Sequence, residues 1–255
     1  MRRRLASALV AITMATGVAV SPARPAQAGL ADWFNVIIAA VQTIVSHSGG
    51  GPNAQLEAAK REILNAVASA KQEILNHIDA IASADVKACT DAAVTKFAQI
   101  DALPPELLGP FVNGAVDCAT LSVAYFNAVQ DLAAADNIGK LMGVIYSIAM
   151  ASFTKYGLSI RDLLTQLIGG YENIVVKLKP TNCTRYRVQE VEVPGHIEIW
   201  WECFAYNGDF GQSDTAFRGR EADRAQAEDR ASRNTSRGIA QNALPQLRAA
   251  LAAAT

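Results

Sequence analysis

Four glutamates of one parity, Glu190, Glu192, Glu198 and Glu202, flank the turn dipeptide Pro194-Gly195, and Trp200 shares their parity. Side chains of one parity face the same side of a hairpin, so these five residues are expected to converge. Carboxylates grouped beside an indole can hold a cation, receive a basic partner, or supply an acid/base couple to a sugar stacked on the ring. The same alternation is also the pattern of a solvated sheet face, with Ile197, Ile199 and Trp201 turned inward. Like charges that face one another cost stability, which makes this patch the best candidate for a contact site.

The other chemistry-bearing residues offer less. His47, His77 and His196 are the three histidines, and none has His, Cys or Asp at ligand spacing. A zinc site or a nucleophile triad would therefore have to be assembled from distant residues. The sequence contains no Gly-rich phosphate loop, His-Glu-x-x-His, Gly-x-Ser-x-Gly or EF-hand loop, so neither an enzyme, a metal nor a cofactor is expected. Cys89 and Cys118 are symmetric about the Leu103-Pro104 junction, and Cys183 and Cys203 about residue 193. Each pair lies across its own local hairpin. The expected disulfides are thus Cys89–Cys118 and Cys183–Cys203 rather than the crossed alternatives.

Residues 1–28 read as a secretory signal peptide: Arg2, Arg3 and Arg4, an uncharged run from Leu5 to Val20, and Ala26-Gln27-Ala28 before the expected cut at Gly29. The whole chain of 255 residues has a formal net charge of −1. Without the four arginines of the leader, 19 Lys+Arg stand against 24 Asp+Glu, a net charge of −5. An acidic exported protein is a poor binder of the phosphate backbone, so no nucleic-acid partner is expected. The arginines of residues 218–237 are interleaved with Glu221, Asp223, Glu228 and Asp229, as on a solvated, ion-paired helix.

These residues need elements to position them, and the composition divides the mature chain in two. Residues 29–180 hold eight lysines and two arginines, whereas 181–255 hold nine arginines and no lysine. The first part predicts a helical bundle over 29–170. An apolar helix over 30–46 is followed by a long one carrying Leu56, Ile63, Val67, Ile74, Ile78 and Ile81, in which Glu-Ile-Leu-Asn recurs at 62–65 and 73–76. Asp85 is placed to cap a further helix, unless the long one continues to about Ile100. Another follows Pro104-Pro105, Asp136 is placed to cap one over 137–153, and Ser159 with Asp162 opens a short one closed by Gly169-Gly170.

The second part, 171–255, predicts a small β-hairpin plus a C-terminal helix. Residues 173–179 read as a bridging strand, 184–193 and 196–206 as the hairpin, and 207–211 as loop. A last helix over about 216–243 is capped by Ser213 or Asp214, and its Ala222, Ala225, Ala227 and Ala231 permit close approach to the sheet.

The fold class expected is α+β, mainly α: a helical bundle followed by a hairpin-plus-helix unit. The function expected is that of a secreted, non-enzymatic protein acting through protein or cell-surface contacts, in the manner of an adhesin, adaptor or inhibitor. Two alternatives carry different chemistry. One is a membrane-active protein that exposes helices 30–46 and 137–153, although the apolar stretch 141–153 is too short to span about 30 Å of hydrocarbon. The other is an extracellular hydrolase working through the hairpin carboxylates.

Overall fold

The computed structural model describes residues 84–189, 196–217 and 220–253, with the pairs 38–39, 41–42, 57–58, 61–62 and 65–66. The expected leader, most of the expected 30–46 helix, most of the Glu-Ile-Leu-Asn recurrence and Glu190 and Glu192 lie outside the described residues. Among those described are six α-helices and one four-stranded antiparallel sheet, an α+β fold in which helix dominates.

Helices α1 (Ala84–Phe97) and α2 (Pro105–Ala128) form the expected antiparallel pair, joined by the Cys89–Cys118 disulfide. Pro105 starts α2 at a position where a missing N–H costs nothing. By length and composition α2 is apolar enough to cross a membrane. Its exposed positions include Asn113, Asp117, Thr120 and Asn127, the polar side of an amphipathic helix.

Helix α3 (Leu132–Lys155) is the centre of the bundle, with every residue from 141 to 152 buried. Its apolar character on several faces is therefore that of a core helix enclosed by its neighbours. Asp131 caps α3, its carboxylate accepting the backbone N–H of Ala134 at 2.7 Å. Asp136, the expected cap, lies one turn further in and serves another helix.

Helix α4 (Arg161–Lys177) corrects two expectations. Gly169-Gly170 does not end it. Gly170 sits where a Cβ would come within 2.6 Å of Met142 Sδ, so it permits the α3–α4 crossing. Residues 173–177 are helix rather than strand, because Leu167, Tyr171, Ile174 and Leu178 continue one buried stripe at helical spacing while Val176 is 76% exposed. At the end of α4, Lys177 Nζ donates to the carbonyls of Phe126 (2.6 Å), in the last turn of α2, and of Val129 (2.5 Å), just past it. The expected domain boundary at 170/171 thus falls inside a helix, whereas the change of composition at 180/181 falls between α4 and the first strand.

Strands β1 (Asn182–Gln189) and β2 (Ile197–Phe204) pair antiparallel in a register symmetric about residue 193, with Cys183 opposite Cys203 and the two joined as a disulfide. β3 (Phe210–Gln212) and β4 (Ala216–Phe217) pair with the other edge of β2. The segment expected to be loop is therefore partly strand. Gly208, at φ +85°, makes the reversal, and the Phe204 and Phe210 rings then meet at 5.4 Å. Between β3 and β4 the ladder is interrupted, and Ser213 Oγ accepts the N–H of Trp201.

The single last helix is two: α5 (Arg224–Ser232) and α6 (Ser236–Ala253). Asp223, not Ser213 or Asp214, caps α5. Of the four small residues, Ala227 and Ala231 are fully buried against the sheet as expected, whereas Ala225 is exposed and Ala222 precedes α5. The approach there is so close that a Cβ on Gly211 would lie 2.2 Å from Ala231 N. α6 instead joins the bundle, burying Ile239, Ala243, Leu247 and Ala250 in the main core.

Candidate functional site

The sheet has two unlike faces. On the inner face Ile199 and Cys203 are buried, and Trp201 packs under Arg224, whose guanidinium carbon lies 5.2 Å from the indole centre. Arg224 also bonds the buried carboxylate of Glu228 at 2.8 Å, and Lys179 reaches the same carboxylate at 3.1 Å.

The outer face carries the even-numbered residues of β1, β2 and β3, with Phe217 of β4. The register sets Phe204 beside Phe210, Thr184 beside Glu202 and Gln212, Tyr186 beside Trp200, and Val188 beside Glu198 and Phe217. Aromatic rows and carboxylate rows therefore alternate along the sheet, each step being about 6.8 Å. Tyr186 and Trp200 stack with ring centres 5.4 Å apart at 14°. The indole N–H of Trp200 donates to Glu202 Oε1 at 3.0 Å, which fixes the ring, and His196 Nε2 lies 3.5 Å from Glu198 Oε1. His196 also packs on Phe217 at 5.3 Å.

The structure brings Glu198, Trp200 and Glu202 to one face as the parity required; Glu190 and Glu192 lie outside the described residues. Glu198 and Glu202 do not form a close couple. They stand four strand residues apart, about 13 Å along the chain, with Trp200 between them. Paired carboxylates of glycoside hydrolysis stand about 5 to 9.5 Å apart. A cleft of about 690 Å³ is present beside the sheet, lined in part by Asp214, Phe217, Arg220 and Asp223, and it includes neither glutamate. There the hydrogen bond from Gln226, followed by the Arg230 guanidinium, holds the Asp214 carboxyl below its ordinary range. No cluster of three or more His, Cys, Asp or Glu is placed to hold a metal among the described residues.

The glutamate pattern alone misses the aromatic half of the site. Tyr186, Val188, Phe204, Tyr206, Phe210 and Phe217, all in or next to the strands, are six of the eleven large apolar or aromatic side chains that are exposed among the described residues. Their signal was present in the cysteine symmetry: pairing about residue 193 opposes Tyr186 to Trp200.

Three of the terminal-helix arginines, Arg224, Arg230 and Arg237, are committed elsewhere. Arg230 bonds Asp214, while Arg237 is buried and donates to Asp229, Ser232 and the carbonyl of Val175.

Comparison with known protein families, with curated proteins and with solved structures finds no match to this chain.

Proposed function

We propose that this is an exported contact protein, without catalytic activity, that engages a protein or cell-surface partner through the outer face of its sheet. The observation that carries this reading is the stacked Tyr186–Trp200 pair, Tyr186 exposed and Trp200 half-buried, amid a concentration of exposed aromatic side chains. Aromatic residues in a ring of polar ones are the composition of contact surfaces, and rigid stacked rings lose little entropy on binding. Export is supported by the leader-like residues 1–28 and by two disulfides, which persist in oxidising compartments.

The test compares labelled mature protein with a Tyr186→Ser/Trp200→Ser variant of matching circular dichroism, in binding to neighbouring cells and to their extracellular proteins. Binding should fall at least tenfold in the variant. Equal binding by both proteins removes the sheet face from the reading. Release of trapped dye from liposomes by the mature protein would replace contact with membrane activity.

A further inference from the structure

We infer that the partner presents a cationic segment, a stretch of protein whose Lys or Arg side chains lie on Trp200 and Tyr186 between Glu198 and Glu202. This rests on the contact reading above and names the chemistry of what is contacted.

The inner face of the same strand shows how this chain satisfies an indole beside a carboxylate. There a guanidinium, that of Arg224, covers Trp201 and bonds Glu228. One residue away on the outer face, Trp200 and Glu202 repeat the pairing of indole and carboxylate, and Glu198 adds a second negative charge. Among the described residues no Lys or Arg lies within ion-pair distance of Glu198 or Glu202, whereas Glu172, Glu221, Glu228, Asp214 and Asp229 each have one. The arginines of the neighbouring strand β1, Arg185 and Arg187, have the opposite parity, and Arg185 is held by Glu221.

An aromatic face attracts a cation through its quadrupole, and nearby carboxylates add Coulomb attraction that an oligosaccharide would not feel. The mature net charge of −5 acts in the same direction at long range. In an extended partner, cations four residues apart match the roughly 13 Å between Glu198 and Glu202, with the aliphatic stems resting on the rings between them.

The probe is a flexible Gly/Ser peptide with two arginines four residues apart, titrated calorimetrically into mature protein beside an isosteric glutamine peptide and a neutral hexasaccharide. The arginine peptide should bind at least tenfold more tightly than the glutamine peptide, and less tightly as salt rises. Glu198→Gln/Glu202→Gln, an isosteric surface change, should weaken binding about tenfold and flatten the salt dependence. Equal affinity for both peptides, indifference to the double variant, absence of peptide binding, or preference for the hexasaccharide each overturns the inference. If the peptide fails while Tyr186→Ser/Trp200→Ser still abolishes binding to the natural partner, the contact reading stands and only its cationic chemistry falls.

Discussion

Asp136 Oδ1 accepts the backbone N–H of Ser236 at 2.5 Å across 100 residues of sequence, so a carboxylate on α3 caps the N-terminus of α6. The first N–H groups of a helix have no partner within it, and a negative charge there also meets the positive end of the helix dipole. The other oxygen of Asp136 holds Lys140 at 2.8 Å, and the phenol of Tyr206, just past β2, lies near enough for the charge of the same carboxylate to act on it. One buried carboxylate therefore fastens the bundle to the last helix. Gly139 allows the helices to meet there, since a Cβ on it would come within 2.5 Å of Ser236 Oγ.

Replacement of Asp136 by Ala should cost about 3 kcal/mol, because the Ser236 N–H and Lys140 lose a buried carboxylate at once. For a chain of this size that lowers Tm by roughly 6–12 °C. Asp136→Asn keeps an acceptor for the Ser236 N–H and loses the charge, so its loss should be about half as large. Urea denaturation of the two variants checks the order.

Alkaline pH acts on the same junction. Burial, reinforced by the Asp136 charge, raises the Tyr206 phenol well above its ordinary value of 10.0. Burial also pushes Tyr146 up to about 12. Folding then favours the protonated phenols, so their contribution is complete below pH 10 and is lost as pH rises from there through the folded values. Stability should fall with pH above about 10, and Tyr206→Phe should fall less steeply, as measured by denaturant midpoints between pH 8 and 11.

Gly211 sets the distance between β3 and α5. A methyl group there would meet backbone atoms of Ala231 and Ala227 at 2.2 and 2.3 Å, and backbone cannot swing aside as a side-chain end can. Gly211→Ala should therefore cost about 2–3 kcal/mol. It should also open α5 to proteolysis before the bundle is cut, whereas the same change at Gly169, which has open space, should cost little.

Symmetric features were the legible ones. Two cysteine pairs, each centred on a turn, indicated the disulfides, the antiparallel helices and the hairpin register, since a direct cross-strand pair leaves no freedom of register. The run Ile174-Val175-Val176 misled because β-branched residues favour strands locally, yet Ile174 extends the buried stripe of α4 and tertiary packing outweighs propensity. Asp136 was legible as a cap but not as the cap of a helix 100 residues away, because nothing local specifies such a partner. The glutamates were legible by parity. The aromatic rows between them required the register to be carried from the cysteines across to β1, and β3 and β4 are too short for alternation to announce them.

The Cys183–Cys203 bridge sits in the ladder that orients the outer face. A slip of one residue would turn Tyr186 away from Trp200 and bring Arg185 or Arg187 to the carboxylate side. Cys89–Cys118 lies in the bundle, away from that ladder. The loops closed span 20 and 29 residues, and because closure entropy grows only logarithmically each bridge should contribute about 3 kcal/mol. Cys183→Ser/Cys203→Ser and Cys89→Ser/Cys118→Ser should therefore lose similar amounts of global stability in urea. Hydrogen exchange separates them: the first variant should lose amide protection along β1 and β2 under native conditions, while the second keeps it and loosens where α1 meets α2. Equal protection of β1 and β2 in both variants would show that side-chain packing, not the bridge, holds the register.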